Sequence, residues 1–140
     1  MKRGNQSAGF VEIEHTADRA IEAWGSTPGE LFEQAARGLF SLLSEEDAPG
    51  PLAYRQVELE VPDLETALVD WLNELLYLSE AEGEMFADFQ VSLDGGKLHA
   101  RVGGHAGRPT AAAVKAATYH GLRVQQDEAG VWRARIVFDT

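Results

Sequence analysis

Alternating apolar and polar residues dominate this chain, and its two helical stretches fall among them with little strand–helix–strand repetition. "FVEIE" and "RAIEAWG" alternate as half-buried strands do, and so do "YRQVELEV", "MFADFQVSL", "KLHARV", "VKAATYHGLRVQ" and "VWRARIVFD". One helix is signalled by "STPGELFEQAARGLFSLL": Thr27 is placed to cap it, Pro28 stands at its first position, and Glu30 three residues after the cap makes a capping-box signal. Its apolar residues Leu31, Phe32, Ala35, Ala36, Leu39, Phe40 and Leu43 share one face. The other helix follows "PD", with Asp63 as cap and Leu64, Ala67, Leu68, Trp71, Leu72, Leu75 and Leu76 at three- and four-residue spacing. The order β-β-α-β-α-β-β-β-β does not suit a doubly wound parallel sheet, which needs a helix between successive strands. The expected fold is α+β: two amphipathic helices packed on a largely antiparallel β-sheet.

A chain of 140 residues that is 44% hydrophobic can bury one core without staples. A single domain is expected over 9–140, behind a flexible tail at 1–8. "GGHAGRPTAAA", 103–113, reads as a loop leading into a strand. Trp71, Tyr77 and the leucines of the second helix read as core, and His120 as a core histidine. Cysteine is absent, so neither a disulfide nor a thiolate metal site is available, which suits a reducing compartment. No run of about 18 apolar residues occurs, so no membrane span is expected and the reading is cytoplasmic. A net charge of −11 has the wrong sign for binding phosphates, so no direct nucleic-acid partner is expected. Acidity of this size suits a basic protein surface or a cation.

Generic catalytic motifs fail. "DGGK" is not a phosphate loop, "GGHAG" is not a dinucleotide turn, and no Gly-x-Ser-x-Gly elbow occurs. Geometry says more. If "VKAATYHGLRVQ" and "VWRARIVFD" form a hairpin around Glu128, Ala117 faces Asp139. Val114, Ala116, Leu122, Val124, Trp132, Ala134, Ile136 and Phe138 then make the apolar face, and Lys115 projects beside Asp139. The carboxylates of Asp139 and of the terminal Thr140 offer oxygen donors for a hard cation. Asp18 is the candidate third donor if the "HTAD" junction, His15 to Asp18, lies beside the last strand's end.

These blocks resemble the archease family: "HTADRAIEAWG", "VDWLNELLYLSEAEG", "VKAATYHGL" and the closing "FDT", in that family's order and over nearly the whole chain. The resemblance implies that Asp18 and Asp139 bind a metal with help from Thr140, and that Lys115 matters for activity. The cation would be calcium first, with magnesium or manganese as alternatives. His15 is grouped with Lys115 as a residue for partner activation, although an orienting role in the loop is open to it. Archeases are helpers of the RtcB-type RNA ligase of tRNA splicing and RNA repair, and the resemblance implies promotion of guanylylation and repeated turnover. The stretch 103–113 departs from the family, which usually carries acidic and histidine residues there.

Other readings stay open. The same resemblance implies a chaperone for an RNA methyltransferase. A metal-dependent phosphoesterase at Asp18 and Asp139 lacks a visible base or nucleophile, and direct tRNA binding is opposed by the charge. Taken alone, Asp18 reads as a turn cap, Asp139 with Thr140 as a strand end, and Lys115 as a solvated lysine.

Overall fold

The computed structural model describes residues 7–13, 19–44, 52–108 and 114–140. The chain runs β1 (Gly9–Ile13), β2 (Arg19–Gly25), α1 (Pro28–Leu43), β3 (Ala53–Glu60), α2 (Leu64–Glu82), β4 (Glu84–Asp94), β5 (Lys97–Ala106), β6 (Ala116–Ala117), β7 (Gln125–Gln126) and β8 (Trp132–Asp139). Every strand pairing is antiparallel. The fold is α+β as expected, but the strands form two sheets rather than one. The first has the order β1-β2-β8-β6, with β7 also on β8, and the second has the order β3-β5-β4.

Both helices begin where the sequence marks them. Thr27 Oγ1 accepts the Glu30 N–H at 3.0 Å. Glu30 reaches back one residue further than a simple capping box, accepting the N–H and hydroxyl of Ser26 at 2.7 Å each. Asp63 Oδ1 accepts the Thr66 N–H at 2.7 Å. Helix α2 ends at Gly83, whose φ of 65° lies in the left-handed region that glycine enters without a Cβ clash.

The reason for two sheets lies in α1. Besides the expected stripe, Gly29, Gly38 and Leu42 are also buried, so apolar contact extends round more of the helix than one sheet could cover. The helix packs on β2 at one side and on β4 at the other. A Cβ on Gly38 would lie 2.6 Å from Ile21 Cδ1 and 3.2 Å from the Phe10 ring, while one on Gly29 would lie 2.6 Å from the Val91 carbonyl. Glycine on opposite sides of α1 thus lets both sheets approach. Helix α2 closes the core: Trp71 is fully buried, donates its indole N–H to the Phe32 carbonyl at 3.0 Å, and meets Phe89 edge-on. Phe40 packs between Phe86 and Phe89.

Two further expectations change. Gly103 to Ala106 belong to β5, not to a loop. The glycines are covered by cross-strand rings: a Cβ on Gly103 would lie 2.7 Å from Tyr54, and one on Gly104 2.8 Å from Phe86. Gly107 and Arg108 lie in no strand, as the loop reading expects, while residues 109–113 and the tail residues 1–6 lie outside the described residues. The stretch expected as one long strand at 114–125 is instead the short bridges β6 and β7. Eight residue steps separate Ala117 from Gln125 but five separate their partners Phe138 and Arg133, so three residues loop out through the turn at Tyr119–Leu122.

Edges of the sheets are tied to the helices by side chains. Glu33 of α1 accepts the Val91 N–H of β4 at 2.8 Å. Burial pushes the Glu33 carboxyl above its ordinary 4.5, with the Val91 N–H pulling it down and Glu30 repulsion adding to the rise. The folded state therefore holds this proton more tightly than the unfolded chain does. Its effect is to make stability fall as pH rises through the window just above 4.5.

Two predictions follow from this packing. Gly38→Ala, favourable for an isolated helix, is expected to destabilise the protein by about 1–3 kcal/mol through the clash with Ile21, read from urea unfolding midpoints. Glu33→Gln keeps an oxygen for the Val91 N–H and removes the titration. The variant's stability profile should lose the decline just above pH 4.5, and an unchanged decline would assign it to another group.

Candidate functional site

Antiparallel pairing brings the start of β2 to the end of β8: Arg19 pairs with Phe138, one residue before Asp139. On the other side of β8, Ala116 pairs with Asp139 and Ala117 with Phe138. The hairpin register is thus offset by one from the expected pairing of Ala117 with Asp139. Ala117 is accordingly the buried alanine, at 5% exposure, and Ala116 is only half-buried. The Lys115 N–H donates to the Asp139 carbonyl at 2.8 Å, so the two residues are neighbours, though by a different register. Lys115, Asp139 and Thr140 are all exposed. Among the described residues the Lys115 ammonium enters no ion pair.

His15 and Asp18 lie outside the described residues, and so do the acidic residues 45–47. Asp139 and Thr140 supply oxygen donors of the kind a hard cation takes. Among the described residues, however, no three histidine, aspartate or glutamate side chains come together, so these donors alone do not complete a cation seat.

What holds this end together is a set of side chains that sequence reasoning did not single out. Arg19 Nη1 donates to the Leu42 carbonyl in the last turn of α1 at 3.3 Å, and Nη2 reaches Glu12 at 3.3 Å. The helix has no basic residue in its own last turn, so β2 supplies the cation for its exposed carbonyls. From α2, Asn73 Oδ1 accepts the Ala117 N–H at 2.8 Å and Nδ2 donates to the Ala117 carbonyl at 3.3 Å. Glu65 Oε2 accepts the Val124 N–H at 2.9 Å. One signal was available: asparagine is a poor helix former, and Asn73 sits in the middle of the strongest helical pattern.

Beside this end lies a groove of about 670 Å³, with Leu43, Leu76 and Val114 on its apolar wall and Tyr77, Arg108 and Lys115 among its polar lining. Tyr77 is 64% exposed, not a core residue. Two residues past Leu75 is a rotation of about 200°, which carries Tyr77 off the buried stripe. His120 is also exposed, its backbone N–H bonded to Thr118 Oγ1 at 3.2 Å, because it lies in the looped-out turn. His99 Nδ1 lies 3.1 Å from Glu58 on the outer face of the second sheet.

No helix among the described residues is long and apolar enough to cross a membrane. Residues 10–140 match the archease protein family (MTH1598/TM1083). The protein archease of Methanopyrus kandleri is 38% identical over 138 residues, which cover 93% of this chain and 98% of that one. That of Thermococcus kodakarensis is 38% identical over 138 residues, covering 93% and 97%. The solution structure of Methanobacterium thermoautotrophicum protein 1598 superposes with a TM-score of 0.71 at 27% identity, covering 94% of this chain and 99% of that one. The crystal structure of a Thermotoga maritima protein, described as an archease and possible chaperone, gives 0.65 at 29% identity, covering 91% and 94%.

The Arg19 link makes a direct prediction. Arg19→Ala should cost about 1 kcal/mol, a net hydrogen bond to a helix-end carbonyl, with the exposed Glu12 pair adding little. A urea midpoint unchanged from the parent would remove Arg19 from the supports of this end.

Proposed function

The chain belongs to the archease family, and from that premise we propose that it is a non-catalytic, cation-dependent activator of an RtcB-type RNA ligase in tRNA splicing and RNA repair. The observation that carries the reading is the pair Lys115 and Asp139: exposed, side by side at one sheet end, and joined by a 2.8 Å backbone hydrogen bond. An ammonium free of ion pairs among the described residues can meet a phosphate or a carboxylate of a partner.

In this reading Asp139 and Thr140, with Asp18, hold a divalent cation, calcium first and magnesium or manganese as alternatives. The cation supplies charge neutralisation for carboxylate and phosphate oxygens. His15 is grouped with Lys115 in this reading as a residue for partner activation. The ligase performs the chemistry, and this protein brings Lys115 and its oxygen donors to the ligase's metal and nucleotide site. A net charge of −11 suits a basic protein surface and disfavours direct RNA contact.

A second reading, a chaperone that keeps an RNA methyltransferase soluble and specific, is favoured by the Thermotoga maritima protein's description as a possible chaperone.

RNA joining by the cognate ligase, at limiting enzyme with GTP and a divalent ion, tests the first reading. Wild-type protein should raise turnover, Asp139→Ala should lower that stimulation by about tenfold or more, as loss of a metal-site residue does, and Lys115→Ala should lower it through loss of the charged partner contact. Absence of stimulation by the wild type, together with suppressed methyltransferase aggregation, would move the assignment to the chaperone. Stimulation that survives both substitutions would remove this sheet end from the mechanism.

A further inference from the structure

We propose that Asn73 is a positioning residue for the Lys115–Asp139 pair: its carboxamide sets the register of β6 and thereby which way Lys115 faces. The inference rests on the reading of that pair as the activating surface.

Strand β6 has two residues, Ala116 and Ala117, and among the described residues β8 is its one strand neighbour. Hydrophobic patterning specifies the register of a strand wherever one face is buried and the other solvated. Here that signal is weak, because both residues of the strand are alanine and the pattern rests on the flanking pair, buried Val114 and exposed Lys115. Within the strand itself, pairing Ala117 with Asp139 would set an alanine against it as the observed pairing of Ala116 with Asp139 does. A slip of one residue would nevertheless turn the side chains of the strand, and Lys115 just before it, to the opposite face.

Asn73 reinforces that signal. Its Oδ1 takes the Ala117 N–H at 2.8 Å and its Nδ2 gives to the Ala117 carbonyl at 3.3 Å, so one side chain supplies the donor and acceptor that a neighbouring strand would. A primary amide offers both from one planar group, whereas a carboxylate has no donor and a leucine has neither. The helix that carries it cannot shift easily, since Trp71, Leu72 and Leu75 around Asn73 are fully buried. The clamp is specific to Ala117, so the residue two before it, Lys115, is delivered to the Asp139 carbonyl.

Amide hydrogen exchange of Asn73→Ala, compared with the wild type, reads the clamp without any ligase. Exchange at Ala117 and Lys115 should accelerate by about tenfold, the factor that loss of a net hydrogen bond implies, while the amides shared by β2 and β8 keep their rates. Asn73→Asp, which retains the acceptor for the Ala117 N–H, should fall between the two and serves if the alanine variant does not fold. Equal acceleration across the whole protein, or none at Ala117 and Lys115, would overturn the proposal. In the ligase assay both Asn73 variants should lose stimulation in the order of their exchange rates, and full stimulation despite fast exchange would also overturn it. Lys115→Ala and Asp139→Ala run alongside. Stimulation intact in those two defeats the functional reading of the pair, whereas stimulation lost in them and kept in Asn73→Ala defeats the role of Asn73 alone.

Discussion

The burial of α1 on two sides is the constraint from which the rest of the structure follows. A helix with Leu31, Phe32, Ala35, Ala36, Leu39 and Leu43 at 0–1% exposure, and with Gly29 and Gly38 buried as well, cannot rest on a single sheet with its back to water. It must be enclosed, and the strands answer by separating into two sheets around it. Small residues matter as much as large ones here, because each glycine marks where a sheet comes too close for a side chain. The aromatic group of Phe40, Phe86, Phe89 and Trp71 fills the remaining volume, and the single polar atom that Trp71 brings inside is bonded to Phe32.

Enclosing helices between sheets leaves strand edges facing helices, and those edges carry backbone groups that water reaches poorly. The structure meets them with side chains: Glu33 for Val91, Glu65 for Val124 and Asn73 for both groups of Ala117. These contacts span more than forty residues of sequence each. They convert the packing of helices on sheets into register, which hydrophobic contact by itself specifies weakly in short strands. The strand end with Asp139 therefore depends on α2 as well as on its own sheet.

Legibility of the candidate site was uneven in a way that physics explains. Lys115 and Asp139 were expected as neighbours and are neighbours, yet the expected pairing was off by one residue, because the looped-out turn after Ala117 does not show in an alternation pattern. Tyr77 was read as core from its company of leucines, and helical angle puts it at the groove instead. Gly103 and Gly104 looked like loop because glycine rarely prefers a strand, and only the rings of Tyr54 and Phe86 across the sheet make them one. Asn73, Arg19 and Glu65 were not singled out, since their partners are backbone groups that no side-chain motif announces. His15 and Asp18 lie outside the described residues.

What the sequence determined by itself was everything with a short range: the caps at Thr27 and Asp63, the buried stripes of both helices, the alternation of the long strands, and the α+β class that their order implies. These depend on side chains within a turn or two of each other, and local chemistry decides them. Tertiary structure alone decided the number of sheets, the register of β6 and the partners of Glu33, Glu65, Asn73 and Arg19. Each of those is a choice between arrangements that local chemistry leaves nearly equal, and only contacts between residues far apart in the chain separate them.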